Sequence, residues 1–208
     1  MDADRCAEIR GWIDDLDHLP DDGRVDGSDV SSDLFKCVFN RDPKWLALID
    51  PPGVIEVVEE LLVSGRVQLP LVLMTLHYYL VDVDIDLCPT WVVPGSHLSG
   101  GGPDGSRPPP GHPGTLRGSA RGWRGQAPLP VLCRAGDALL FRSEVWRSGS
   151  RNQTPNRTRY LLQVHYGARG IGTRYLPYRV FRYNPDVVAA SNPRQRRLIG
   201  DHGLGAYA

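Results

Sequence analysis

The sequence predicts a mainly β domain that begins with helices. Apolar residues recur at helical spacing up to about residue 63 and at strand spacing from about residue 69 onward. The chain has 208 residues, 41% of them hydrophobic and 23% charged, which is ordinary for one globular domain with a sizeable core. We predict a single domain over 1–208, with a helical part at 1–65, a strand-rich part at 66–183 and a tail at 184–208.

Three helices are predicted in the first part. Residues 4–18 carry apolar side chains at helical spacing, and Pro20 follows as a stop. Asp42 before Pro43 is typical of an N-cap with proline at the first helical position, so a second helix is predicted to begin there and cover 45–49. The third covers 52–63, with Gly65 just past its end.

The strands begin after this glycine. Residues 69–83 are too rich in β-branched and aromatic side chains for a surface helix. Their even positions are nearly all apolar, whereas the odd positions include Thr75, His77 and Tyr79, so one face of this strand is predicted to be polar. Further strands are predicted at 90–93, 131–133, 138–141 and 160–166.

Residues 99–130 are rich in Gly and Pro and cannot hold regular structure for long. A connection of this length inside a compact domain is typical of a lid or a binding loop. We therefore predict a mobile loop over 99–130.

Charge and cysteine content exclude several classes of partner. Lys plus Arg and Asp plus Glu are 24 each, so no net charge favours nucleic acid or an anionic membrane, and neither is predicted as a partner. The first residues are acidic and precede no apolar run of signal-peptide type, which predicts a cytoplasmic protein. The preference for Arg over Lys, with many Gly and Pro, indicates a bacterial source. No C-x-x-C pair exists, so four reduced thiols are expected at Cys6, Cys37, Cys88 and Cys133.

Several segments carry a family resemblance. They read H-Y-Y-L-V-D at 77–82, P-T-W-V-V-P-G-S-H at 89–97 and A-G-D-A-L-L-F-R-S-E-V-W at 135–146. The strand R-Y-L-L-Q-V-H-Y-G at 159–167 continues the series. In this order and spacing the sequence resembles phytanoyl-CoA dioxygenase family proteins over most of the chain from residue 69 onward. The tail R-L-I-G-D-H at 197–202 is similar to a bacterial branch of that family.

The resemblance implies a double-stranded β-helix, a jelly-roll or cupin-like barrel open at one end, with the N-terminal helices packed outside. The loop over 99–130 is then expected above the open end. The resemblance also implies Fe(II) and 2-oxoglutarate, with the iron held by a His-x-Asp pair and a distal histidine.

This sequence departs from the family at each iron ligand. None of its six histidines is followed two residues later by Asp or Glu, and only residues 64–70 remain where the His-x-Asp segment is expected. Arg147 stands after Trp146, in the place of the distal histidine. A guanidinium has no lone pair for a metal, and its charge repels Fe(II). We therefore predict no metal ligands and no cofactor, and keep Fe(II) with 2-oxoglutarate for the alternative function.

The resemblance and the strand faces together give the candidate site. Arg159 matches the arginine that binds the 2-oxoglutarate carboxylate, and Arg157 is the second choice. His77 has the intrinsic pKa of a general acid or base. The predicted catalytic residues are His77, Arg147 and Tyr79, and the predicted ligand-binding residues are Arg159, Gln163, Trp91 and His165.

Purely structural roles remain open for three of these candidate residues. His77 also fits a hydrogen-bonded core histidine, Arg159 a salt-bridged arginine at a strand end, and His165 a structural residue.

Three functions remain open. The first is a barrel reused without metal for a small anionic metabolite, as a cyclase, an isomerase or a binding protein in bacterial secondary metabolism. The second is an Fe(II)/2-oxoglutarate dioxygenase with an atypical ligand set. The third is an inactive, deletion-damaged family member, a pseudoenzyme. Loss of a strand segment would expose a sheet edge, which favours pairing with a second copy as a homo-oligomer.

Overall fold

A computed structural model describes residues 1–20, 23–27, 30–63, 73–99, 124–167 and 183–200. The α-helices are α1 (Ala3–Asp14), α2 (Ile55–Val63), α3 (Pro185–Ala190) and α4 (Pro193–Ile199). Short 3₁₀ helices cover Val38–Asn40, Pro43–Leu48 and Ser96–Ser99. The strands are β1 (Gly23–Gly27), β2 (Val30–Leu34), β3 (Leu73–Tyr79), β4 (Thr90–Val92), β5 (Leu129–Val131), β6 (Ala138–Arg142), β7 (Arg147–Gly149) and β8 (Leu161–Gly167).

Among the described residues the strands form small sheets. β1 and β2 make a two-stranded sheet. The strand order β6-β3-β8 defines the β3 sheet, and the order β5-β4-β7 defines the β4 sheet. The pairs β3–β6, β4–β5 and β4–β7 are antiparallel. The chain thus moves back and forth between the two three-stranded sheets as it runs from β3 to β8.

The described residues divide into two compact units. One contains Met1–Asp17, Val25–Ser32 and Leu73–His165, and the other contains His18–Arg24, Asp33–Val72 and Tyr166–Ala208. The prediction of one domain over 1–208, with parts at 1–65, 66–183 and 184–208, stays a prediction. Within the described residues, no helix is long and apolar enough to cross a membrane.

The first helix follows its sequence pattern but ends early. The Asp2 side chain caps α1 by accepting a hydrogen bond of 2.8 Å from the Arg5 backbone N–H. Cys6 and Ile9 are its buried residues, and the Arg10 guanidinium donates to the Leu80 carbonyl just past β3 (2.6 Å). The helix ends at Asp14 rather than at residue 18, and acidic residues at a helix C-terminus oppose the helix dipole.

The segment after Asp42 is helical, but of the 3₁₀ type. Asp42 accepts a hydrogen bond from the Lys44 backbone N–H (2.8 Å), which confirms the predicted cap. A 3₁₀ helix aligns side chains three residues apart, so Trp45 and Leu48 lie on the same side, and both are buried. α2 starts at Ile55 rather than at 52, because Gly53 has φ +82°, which an α-helix cannot contain.

Both faces of β3 are covered. Every residue from Met74 to Leu80 is buried, including the polar side chains of Thr75 and His77. Near its end, Tyr79 forms a core cluster with Val83 and Leu87. Partly buried residues pack against this cluster, namely Val81, Val131, Cys133, Leu139 and Leu161.

The other predicted strands agree with the structure except near Cys133. β4, β6 and β8 lie at their predicted places, whereas β5 covers 129–131 rather than 131–133. Cys133 instead forms an isolated bridge with Val83, with backbone hydrogen bonds of 2.8 and 3.1 Å. All four cysteines are free thiols. Most of the loop predicted over 99–130 lies outside the described residues, so its mobility stays a prediction.

Candidate functional site

Three polar side chains share one face of β3. They are Thr75, His77 and Tyr79, and we call them the β3 polar face. The Thr75 hydroxyl lies 2.7 Å from the Ser143 hydroxyl and 3.1 Å from Nδ1 of His165 on β8. The Tyr79 hydroxyl donates to Oγ1 of Thr90 on β4 (3.2 Å). The β3 polar face therefore points toward the β4 sheet and not toward solvent.

His77 lies at the centre of this face. Its side chain meets the Phe141 ring edge to face, with 4.9 Å between the ring centroids, and the Tyr79 ring at 6.2 Å. The residue is 3% exposed, and its Nδ1 is buried without a hydrogen-bond partner. A buried nitrogen in this state is uncommon, because its desolvation cost is not offset by a hydrogen bond.

The electrostatics keep this imidazole neutral. Burial lowers the pKa of His77 to about 4, and the positive charges of Arg147, Arg159 and His165 lower the pKa in the same direction. Arg147 lies on β7, Arg159 in the segment before β8, and His165 on β8. The predicted site residues His77, Tyr79, Arg147, Arg159 and His165 therefore lie in one neighbourhood of the first unit.

Arg147 contacts Phe141, the aromatic residue whose ring also packs against His77. It leads β7, and its Nη1 donates to the Ser143 carbonyl (2.6 Å). Its guanidinium lies 5.3 Å from the centroid of the Phe141 ring, within the range of a cation–π contact. Phe141 thus contacts the guanidinium of Arg147 as well as the imidazole of His77.

Arg157 and Arg159 occupy different surroundings. Arg157 is exposed and forms an ion pair with Asp84, with 2.6 Å between Nη1 and Oδ2. Arg159 is half-buried, and its Nη1 donates to the Cys88 carbonyl (2.6 Å). None of the acidic side chains in the described ranges forms an ion pair with Arg159. Of the two, only Arg159 contributes to the lowered pKa of His77, and its role in ligand binding stays a prediction.

The two remaining candidates lie on β8 and β4. Gln163 is exposed, as is His165, and because side chains alternate along a strand, both lie on the same face of β8. Trp91 follows Thr90 on β4, and by the same alternation it points away from the face that Thr90 presents to Tyr79. Ligand-binding roles for Gln163 and Trp91 stay predictions.

Sequence reasoning missed several residues of the site. Thr75, Phe141 and Ser143 link His77, Arg147 and His165, yet none of the three was a candidate. Thr75 was visible as a member of the polar odd positions of its strand. Phe141 and Ser143 belong to the segment A-G-D-A-L-L-F-R-S, whose pattern predicts only a strand and a turn.

The donor atoms present do not fit Fe(II). In the part of the chain that the structure describes, no three His, Cys, Asp or Glu side chains come together as a metal site. The side chains around His77 include two guanidiniums, which have no lone pair to donate. His112 and His202 lie outside the described residues. Whether the protein takes a cofactor stays a prediction.

Comparisons with known proteins agree with the motifs. Residues 68–160 match the family model for phytanoyl-CoA dioxygenase (PhyH). No curated protein matches the sequence. The crystal structure of the non-heme alpha ketoglutarate dependent epimerase SnoN from nogalamycin biosynthesis matches with a TM-score of 0.56 and 17% identity, over 98% of this chain and 84% of that chain. At this identity the likeness shows a shared fold. The family predicted from the sequence is confirmed by the family-model match, which covers residues 68–160.

Proposed function

We propose that this phytanoyl-CoA dioxygenase-like protein binds a small anionic metabolite at the β3 polar face and does so without a metal ion. One observation carries the proposal: the charges of Arg147, Arg159 and His165 lower the pKa of the His77 imidazole, which is neutral. The proposed architecture is a double-stranded β-helix, in which the β3 sheet faces the β4 sheet. The shared fold with SnoN and the hydrogen bond from Tyr79 to Thr90 support it.

Arg159 supports an anionic ligand. Its one hydrogen bond described above is to a carbonyl oxygen, which orients the guanidinium without neutralising its charge. A half-buried cation is costly unless an anion compensates it. The remaining N–H groups of a guanidinium fork match the two oxygens of a carboxylate. A metabolite carboxylate or phosphate bound by Arg159 would supply this compensation.

Metal independence is supported by the chemistry of the donors. Fe(II) oxygenases of this superfamily need three facial ligands, and the surroundings of His77 offer guanidiniums instead. The family's iron chemistry remains the competing function, since the residues outside the described ranges include two histidines. Anaerobic reconstitution with Fe(II) separates the two functions. Stoichiometric iron together with 2-oxoglutarate turnover would overturn the proposal in favour of the oxygenase.

The class of reaction is proposed from the same geometry. At a pH above the pKa of His77 in the complex, its neutral imidazole beside a carboxylate held by Arg159 can accept a proton from the adjoining carbon, as an isomerase or a cyclase without cofactor requires. SnoN is described as an epimerase from nogalamycin biosynthesis, which supports a substrate from bacterial secondary metabolism. A binding protein without turnover uses the same anion site, and proton exchange into deuterated solvent at the ligand carbon distinguishes the two.

The decisive experiment compares two neighbouring arginines. Binding of glutarate and its neutral diamide is measured by calorimetry, in the presence of a chelator, for wild type, Arg159→Gln and Arg157→Gln. Loss of a charge-assisted contact in Arg159→Gln should cost about 1.5–3 kcal/mol, or roughly 10- to 150-fold in affinity. Arg157→Gln is the matched control, because Arg157 pairs with Asp84 at the surface. Equal binding of glutarate and the diamide, or equal effects of the two substitutions, would refute the anion site.

A further inference from the structure

We propose that anion binding at the β3 polar face is coupled to proton uptake by His77, so that the site takes an oxyanion together with one proton. The inference rests on the proposed function, in which Arg159 binds the anion. It adds the chemical class of the bound species, namely an oxyanion whose charge is shared between a guanidinium and an imidazolium.

The geometry around His77 supports the coupling. The imidazole is 3% exposed, and its Nδ1 is buried without a hydrogen-bond partner among the described residues. The ring is held by the edge-to-face contact with Phe141 (4.9 Å) and is not held by a hydrogen bond at Nδ1. A bound oxyanion is an acceptor, and a protonated imidazole is a donor at both nitrogens. Proton uptake therefore makes the unpartnered Nδ1 a donor whichever nitrogen carries the proton in the neutral ring.

Among the described residues, the charged groups that lower the pKa of His77 are basic. Tyr79 from β3 and Phe141 from β6 are uncharged, and the Tyr79 hydroxyl is bonded to Thr90. Arg147 acts from β7, Arg159 from the segment before β8 and His165 from β8. Glu144 is near in sequence but pairs with Arg142 (3.2 Å).

In the unliganded protein these cations and burial hold the pKa of His77 at about 4. An oxyanion among the cations offsets their field and moves the pKa of His77 back toward its ordinary value of 6.5. Between these two pKa values the complex binds more protons than the free protein, so the affinity for the anion increases as pH falls. No covalent bond forms or breaks; the proton comes from solvent and resides on the imidazole.

Calorimetry with sulfate and glutarate tests the coupling. Sulfate does not titrate in this range, so any proton taken up belongs to the protein, while glutarate represents carboxylate ligands. Each binding enthalpy is measured at pH 5.5 in two buffers of different ionisation enthalpy, which gives the number of protons bound. If the pKa of His77 returns to 6.5 in the complex, proton uptake should approach about 0.9 proton per anion at pH 5.5 and fall to nearly zero at pH 8. Because glutarate itself titrates near this pH, proton uptake is counted with sulfate, and the affinity for glutarate shows whether carboxylates are accepted.

Two variants and one spectroscopic measurement make the test decisive. His77→Gln should bind the anion without proton uptake, whereas His18→Gln, a control at an exposed histidine paired with Asp33, should behave as wild type. Titration of the His77 imidazole resonances in wild type, with and without anion, gives the same answer where His77→Gln does not fold. Arg159-dependent binding without proton uptake overturns the inference and leaves the proposed function standing. Failure of both anions to bind overturns both.

Discussion

Two arginine sites, one in each unit of this protein, have different partners. In the second unit, Arg194 and Arg197 of α4 pair with Glu56 and Glu59 of α2, at 3.0–3.5 Å. In the first unit, Arg159 donates to a backbone carbonyl beside the β3 polar face. A carboxylate neutralises a guanidinium, whereas a carbonyl only orients it. The charge in the α2–α4 contact therefore serves structure, whereas under our proposal the charge near His77 serves an anionic ligand.

The largest effect expected from this difference is acid destabilisation through His77. Its pKa is about 4 in the folded protein and is taken as 6.5 in the unfolded chain, so the unfolded chain binds more protons between these values. Stability contributed by the neutral imidazole is therefore complete above about pH 6.5 and is lost as pH falls toward 4. The full difference corresponds to about 3 kcal/mol in the free energy of unfolding.

Urea unfolding of wild type and His77→Gln between pH 4 and 8 measures this effect. In the variant, the free energy of unfolding should no longer depend on His77 between pH 4 and 6.5. The slopes of this free energy against pH can be compared even if the substitution lowers stability by the same amount at every pH. Parallel pH profiles for the two proteins would show that His77 is not held neutral. Saturating sulfate should flatten the wild-type profile as well, because the anion raises the pKa of His77.

A smaller effect is expected from the link between the two sheets of the first unit. Tyr79→Phe removes the hydroxyl that donates to Thr90 and leaves the ring in the core cluster. Loss of one buried hydrogen bond between neutral groups should lower the free energy of unfolding by about 1 kcal/mol. Thermal unfolding measures the change, with Thr90→Val, which removes the acceptor, and the double variant completing a mutant cycle. Fully additive losses in the double variant would mean that the Tyr79–Thr90 hydrogen bond does not stabilise the fold.

The sequence predicted the strands of the site better than their contacts. The period-two alternation of residues 73–79 placed His77 and Tyr79 on one face, because side-chain direction in a strand is a local property. The contact of Arg147 with Phe141, and the exposure of Gln163, depend on how separate strands pack together, which no local pattern contains. β7 was missed for a related reason, since the short run R-S-G shows no apolar alternation and becomes a strand by pairing with β4.

The tail shows the same limit. No helix was predicted there, yet Asn192 forms a capping box with Gln195 that defines α4. Gln195 also donates to Asp50 (3.0 Å), which fixes the helix within the second unit. The boundary signals of a helix this short are its caps, and they precede a segment of only seven residues without a clear apolar face.

The smallest effect is expected where the arginines are already paired. Arg197→Gln removes the contact with Glu59, but the Arg194 guanidinium remains 3.5 Å from the same carboxylate. Exposed ion pairs contribute roughly 0.2–1 kcal/mol, and a shared carboxylate that keeps one partner should give a value at the low end. Unfolding in low and high salt measures this contribution, because screening weakens an exposed pair and should shrink the difference between wild type and variant further.

Anion affinity makes the contrast with Arg159 quantitative. Arg197→Gln should change stability slightly and anion affinity not at all, whereas Arg159→Gln should change anion affinity. A loss of anion affinity in Arg197→Gln would show that net charge, and not the local site beside His77, governs anion binding in this protein.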